Sequence, residues 1–197
     1  MAKAIRSFFD LFRLPLLFSA AVLLAYGIPI FLGWLSFYGD DWIYVYNNHL
    51  MGPASFPAFV AWDRPHSAWI YMLSGALFGE SPLPYHLLLL AERWLAVFLF
   101  WRILRAVWPS AQRMVSWAVL LFAVYPGFRQ QPIAVQFILH FASLDLCLFS
   151  IWCMLRTATV RTNRSQWLLT ILGFGAATLA LFSCEYFVGL ELLRPFL

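Results

Sequence analysis

IAVQFILHFASLDLCLFSIWCML, Ile133 to Leu155, is the stretch that decides the fold. It is apolar almost throughout, with Asp145 near its middle, and about 20 mainly apolar residues suffice for a helix to cross the hydrocarbon core of a bilayer. Four other segments follow the same pattern: Pro15 to Phe37, Tyr85 to Leu104, Arg113 to Tyr125 and Gln166 to Cys184. Of these, Arg113 to Tyr125 is short and leans on its neighbours. The whole chain agrees, since 63% of its residues are hydrophobic, 19% aromatic and only 11% charged, with mean hydropathy +0.77. Soluble domains carry roughly twice that charge. The fold class expected is therefore all-α: a polytopic membrane helix bundle of about five transmembrane helices, forming one transmembrane domain over residues 1–197.

Positive charge orients the bundle. Lys3, Arg6, Arg13, Arg102, Arg105, Arg113, Arg156, Arg161 and Arg164 fall on one side of the drawn topology, and Arg64, Arg129 and Arg194 on the other. The positive-inside rule makes the first side cytoplasmic, the N-terminus included. The basic head precedes an apolar run too long for a signal peptide, so a retained first span is expected. A net charge of +4 arises from span ends rather than from one basic face, which argues against nucleic acid as a partner.

The first outer loop, Tyr38 to Pro84, is much longer than the other connections. Asp41 to His49 reads as a short interfacial helix rich in Trp and Tyr, and Ser67 to Phe78 as an apolar helix lying in or dipping into the outer interface. Between them Pro53, Pro57 and Pro65 predict irregular chain. All four histidines (His49, His66, His86, His140) and most acids map to this outer side, so a reactive site would face outward.

Several clusters there carry chemical potential, each with a plainer reading beside it. Of the adjacent pair Asp40 and Asp41, one could act as general base or bind a cation while the other caps the helix beginning near Trp42. Alternatively both solvate a span end and cap that helix. In Trp62-Asp63-Arg64-Pro65-His66, Arg64 suits a bidentate phosphate contact supported by His66, or else Asp63 and Arg64 form a local pair of little energetic value. Inside the spans, Glu92, Arg93 and Asp145 are costly in hydrocarbon and mark either function or an Arg93–Asp145 pair holding helices together. Cys147, Cys153 and Cys184 lack metal-ligand or disulfide spacing and read as small core residues. Trp94, Trp101, Trp108 and Trp117 read as packing and interface residues.

The order of these motifs resembles the GT-C class of membrane glycosyltransferases, which includes protein O-mannosyltransferases and lipid A aminoarabinose transferases. An inward N-terminus and first helix lead to an outer loop opening with Gly39-Asp40-Asp41; Arg64-Pro65-His66 then enters an apolar interfacial helix. LFGESPLPYHLLLL, Leu77 to Leu90, is similar to the family's junction into its second span. FAVYPGFRQQPIAV, Phe122 to Val135, resembles the turn between its third and fourth helices, and SCEYFVGLELL, Ser183 to Leu193, a turn opening a further span. Members usually have more spans, so this chain corresponds to the N-terminal part of such an enzyme.

The resemblance implies a polyprenyl-phosphate-linked sugar as donor and an acidic residue of the first outer loop, Asp40 or Asp41, as catalytic base on an acceptor hydroxyl. Asp63, Arg64, His66, Arg129, His140 and Glu185 are the candidate substrate-binding residues, with Arg64 or Arg129 the cation beside the leaving phosphate. The interfacial helices would admit the lipid tail from the bilayer side. A divalent metal is compatible with the acid pair without being required by it, and no other cofactor is expected. The expected location is the bacterial inner (plasma) membrane, multi-pass. Two other classes remain: a non-catalytic transmembrane subunit that packs with other membrane subunits, and a transporter using Glu92, Arg93 and Asp145, which would need its polar residues near the midplane rather than at one surface.

Overall fold

The computed structural model describes residue 15 and residues 17–34, 36–125 and 131–197, and among them the only regular elements are helices. In chain order these are α1 (Leu17–Tyr26), α2 (Ile28–Phe31), α3 (Asp41–Met51), α4 (Phe56–Phe59), α5 (Ala68–Phe78), α6 (Pro82–Val107), α7 (Gln112–Ala123), α8 (Ala134–Thr157), α9 (Asn163–Ser183) and α10 (Val188–Glu191). The N-terminal basic residues Lys3, Arg6 and Arg13, and Arg129 between α7 and α8, lie outside the described residues.

Two helices, α8 and α9, are long and apolar enough to cross a membrane. At about 1.5 Å per residue they extend roughly 36 and 31 Å, against a hydrocarbon core of roughly 30 Å. α6 has the length, with 26 residues, but Glu92, Arg93, Arg102 and Arg105 dilute its apolar character. α7, at 12 residues, is too short to cross alone. The first segment, read from sequence as one span to Phe37, is interrupted: α1 ends at Tyr26, Gly27 bends the chain, and α2 stops at Leu32. Pro29 is the physical reason, because it has no N–H with which to continue the ladder and is tolerated only in the first turn of a new helix.

α8 is the axis of the molecule. It packs most extensively against α9 and α6, and α7 lies on the far side of α6. Its apolar residues face every direction, and Val135, Ile138, Leu139, Cys147, Leu148, Ile151 and Cys153 are all buried, as an all-round apolar helix must be. Close approach to α9 is possible because Gly173 has no side chain: a Cβ there would sit 3.0 Å from that of Cys153. Ser150 Oγ uses that proximity to donate to the Gly173 carbonyl at 2.5 Å. All three cysteines are buried and free. α1 is held to α6 by an edge contact between Phe18 and Trp101 and by Trp94 Nε1 donating to Ser19 Oγ at 2.7 Å. Trp101 is thus a core residue, while Trp94, Trp108 and Trp117 are exposed.

α3, α4 and α5 form a cap beside the N-terminal end of α8. α3 ends at Gly52 and α5 at Gly79, whose φ values of 74° and 56° lie where glycine alone is unstrained. The proline-rich link between them is more ordered than its sequence implies. It forms short helical turns at Pro53–Ser55, Phe56–Phe59 and Pro65–Ser67, with each proline in the first turn, where a missing N–H costs nothing. Tyr44, Phe56, Phe59 and Tyr71 stack into one aromatic cluster, the Tyr44 and Tyr71 rings 4.6 Å apart. Phe56 and Tyr71 are buried, worth roughly 1.5–3 kcal/mol each, and the half-buried Tyr44 and Phe59 pack on them, which is why so short a loop element holds a definite shape.

Candidate functional site

The adjacent acids Asp40 and Asp41 have opposite environments. Asp41 is fully buried. Its carboxylate accepts from the backbone N–H groups of Ala134 (2.9 Å), Val135 (2.8 Å) and Gln136 (2.9 Å), the first turn of α8, and from that of Tyr38 (3.3 Å). The first N–H groups of a helix have no partner in their own ladder, and the helix dipole makes that end attractive to negative charge. Asp41 therefore caps α8, a helix that begins 93 residues later, rather than its own. Burial pushes its carboxyl above the ordinary aspartate value, and the four amides pull it down. Asp40 occupies the N-cap position of α3, exposed, with no side-chain cap hydrogen bond. It is the acid free to meet a ligand.

Arg64 organises a second cluster at the same end of α8. Its Nε and Nη2 donate to Glu185 Oε2 (3.2 Å) and Oε1 (2.9 Å), and its Nη1 donates to Asp63 Oδ2 (3.2 Å). The Tyr186 ring lies under the guanidinium, 5.0 Å from its carbon, and His140 lies 5.3 Å from that ring. Arg64 holds the Glu185 carboxyl down to about 2, and the hydrogen bond to Glu185 in turn raises the guanidinium further above its ordinary value. His66 packs edge-on to Phe182 at 5.4 Å. Below it, Trp69 Nε1 donates to Ser183 Oγ at 3.0 Å, fixing the cap to the end of α9.

Asp63, Arg64, His140 and Glu185, four of the six side chains marked in the sequence for substrate binding, thus meet in one place; His66 packs on Phe182 instead, and the sixth, Arg129, is outside the described residues. Tyr44 links them to Asp40. Its phenol lies within electrostatic reach of Arg64, Asp63 and Asp40, and burial pushes its pKa above the ordinary tyrosine value. Tyr44, Tyr71 and Tyr186 are site residues that the sequence reading missed. Tyr44 stands one helical turn after Asp40, and Tyr186 directly follows Glu185, so spacing from the acids was the available signal.

The interior charges are arranged differently. Arg93 Nη2 donates to Tyr26 Oη (3.0 Å) and to the carbonyls of Phe122 (3.0 Å) and Ala123 (3.3 Å), and the rings of Tyr26, Phe122 and Phe141 surround the guanidinium. Those carbonyls end α7, where helix acceptors are left over and the dipole favours a cation. Neither oxygen of Asp145 has a hydrogen-bond partner among the described residues, and one oxygen of Glu92 is in the same state. The Arg93–Asp145 pair read from the sequence is replaced by an Arg93 clamp between α1, α6 and α7. Away from both regions, His49 Nδ1 pairs with Glu80 at 2.5 Å, and His86 Nε2 meets the Ser36 carbonyl at 2.9 Å. Among the described residues no three His, Cys, Asp or Glu side chains converge as metal ligands.

The arrangement offers an exposed carboxylate at Asp40, a guanidinium at Arg64 whose donors are taken by the partly exposed carboxylates of Asp63 and Glu185, and the Tyr186 ring against that guanidinium. Comparison with protein-family models, with curated proteins and with solved structures returns no match.

Proposed function

We propose that this chain is a multi-pass membrane glycosyltransferase of the GT-C type, or the N-terminal module of one, that takes a sugar from a polyprenyl-phosphate donor to an acceptor on the outer face of the bacterial inner membrane. The supporting observation is the meeting of Asp63, Arg64, His140 and Glu185 around Tyr186, with the exposed Asp40 at the start of α3 in the adjoining cap, beside two helices long and apolar enough to span. In this reading Asp40 takes the proton of the acceptor hydroxyl as its oxygen attacks the anomeric carbon. The bond from that carbon to the phosphate oxygen breaks, and the electron pair leaves with the phosphate, whose charge Arg64 stabilises. Asp41, with both oxygens already accepting from amides, is a positioning residue that ties the Asp40 turn to α8.

The test is transfer from a polyprenyl-phosphate sugar by wild type, Asp40→Asn and Asp41→Asn. Loss of a positioned general base costs roughly 10²- to 10⁴-fold in rate, so Asp40→Asn falls by that factor with its fold intact. Full activity in Asp40→Asn removes its catalytic role. A second reading is a non-catalytic transmembrane subunit, and the exposed apolar side chains of α9, among them Trp167, Ile171, Phe174 and Phe182, favour it. Absence of transfer by wild type, together with stable co-purification of another membrane protein, selects that reading.

A further inference from the structure

We propose that Glu185 is a displaceable stand-in for a lipid-linked phosphoryl group, seated on the Nε–Nη2 edge of Arg64 until that group replaces it. The proposal rests on the reading of Arg64 as the phosphate-holding residue. Geometry supplies the reason. A guanidinium presents its paired donors along fixed edges, and a carboxylate and a phosphate engage such an edge in the same two-point way. Here Glu185 takes one edge with both oxygens, at 3.2 and 2.9 Å, while Asp63 takes only Nη1. Asp63 holds the guanidinium at Nη1 whichever anion sits on the other edge.

The two carboxylates differ in how easily they leave. The Asp63 side chain is 46% exposed and adjoins Arg64 in the chain, whereas that of Glu185 is 63% exposed and comes from a different element, so it is the more open to water. Glu185 also sits in a three-residue helical turn, Glu185–Phe187, between two longer helices, where a rotation disturbs few backbone hydrogen bonds. Because its carboxyl stays ionised down to about pH 2, the exchange near neutral pH is of one anion for another. A phosphodiester bearing a single charge replaces Glu185 without changing the charge beside Asp63. A free guanidinium at this surface would attract any phosphate, so the carboxylate raises the affinity that a ligand must bring, and a lipid tail along α9 can bring it.

The experiment measures binding of dodecyl phosphate, with inorganic phosphate as the soluble control, to the full chain in neutral detergent micelles by titration calorimetry. Wild type is compared with Glu185→Gln, Arg64→Gln and the double variant. Releasing a bidentate ionic competitor is worth roughly tenfold in affinity, so Glu185→Gln binds dodecyl phosphate about tenfold more tightly than wild type, and neither Arg64→Gln protein binds it. Equal or weaker binding by Glu185→Gln, with Arg64→Gln still abolishing it, overturns the stand-in while leaving Arg64 as the phosphate residue. Binding indifferent to Arg64→Gln, or absent from every variant, overturns both. Equal affinity for inorganic phosphate overturns the lipid-linked assignment. Hydrogen exchange on wild type gives a readout that needs no substitution: amides of residues 185–188 exchange faster at saturating dodecyl phosphate, and unchanged or slower exchange overturns the displacement.

Discussion

Asp41 and Asp145 are both buried, and the chain deals with them in opposite ways. Asp41 comes from α3 and lies against the first turn of α8, where three backbone N–H groups of that helix meet its oxygens. Asp145 belongs to the middle of α8, and its oxygens accept nothing among the described residues. The difference is one of position along the same helix. At the N-terminal turn the N–H groups have no ladder partner and supply solvation to a carboxylate; in the middle every N–H is already committed to the carbonyl four residues before it. A buried acid is therefore structural or exceptional according to which turn it meets.

Breaking the satisfied acid has the largest consequence. Asp41→Asn puts an NH2 group against backbone donors and leaves buried amides without an acceptor, so the protein loses about 3–5 kcal/mol. For a chain of this length that lowers the thermal midpoint in detergent by on the order of 10 °C, followed by circular dichroism. Relieving the unsatisfied acid has the opposite sign: Asp145→Leu stabilises by about 1–3 kcal/mol in the same assay. A loss of activity without a loss of stability in that variant assigns Asp145 a working role.

A smaller change sharpens the contrast. The N-cap of α8 is Ile133, which offers no side-chain acceptor. Ile133→Ser in the Asp41→Asn background restores about 1 kcal/mol by supplying a local cap, and does less in wild type, where the amides are already engaged. The smallest effect is at Glu185. Its folded carboxyl ionises lower than the unfolded one, so the Arg64 pair contributes in full above about pH 4.5 and is lost as pH falls toward about 2. Thermal midpoints between pH 2 and 5 show this as a decline that Glu185→Gln abolishes.

The elements beside the site were legible where punctuation is local. Gly52 and Gly79 close α3 and α5 at the positions that their backbone conformations demand, and of the marked acids and histidines Asp63, His140 and Glu185 gather about Arg64. What escaped was long-range. No spacing rule connects Asp41 with amides 93 residues away, although the apolar N-cap Ile133 hinted that the donors of α8 are satisfied from elsewhere. The Arg93–Asp145 pair, one of the two readings of those charges, does not form for a related reason, since opposite charge is visible in a sequence while the spare carbonyls at the end of α7 are not. The proline-rich link was read as irregular because proline usually breaks helices, yet here each proline starts one.

The hydrogen bond from Trp69 to Ser183 gives α9 a mechanical meaning. It fastens the cap of α3, α4 and α5 to the last residue of a 21-residue helix, so α9 is a lever about 31 Å long with the Arg64–Glu185 pair near its tip. A tilt of about 5° about the Asn163 end carries the tip roughly 3 Å, far beyond what a two-point ion pair tolerates. The tilt of α9, which its packing against neighbouring helices sets, thereby becomes a coordinate of the site.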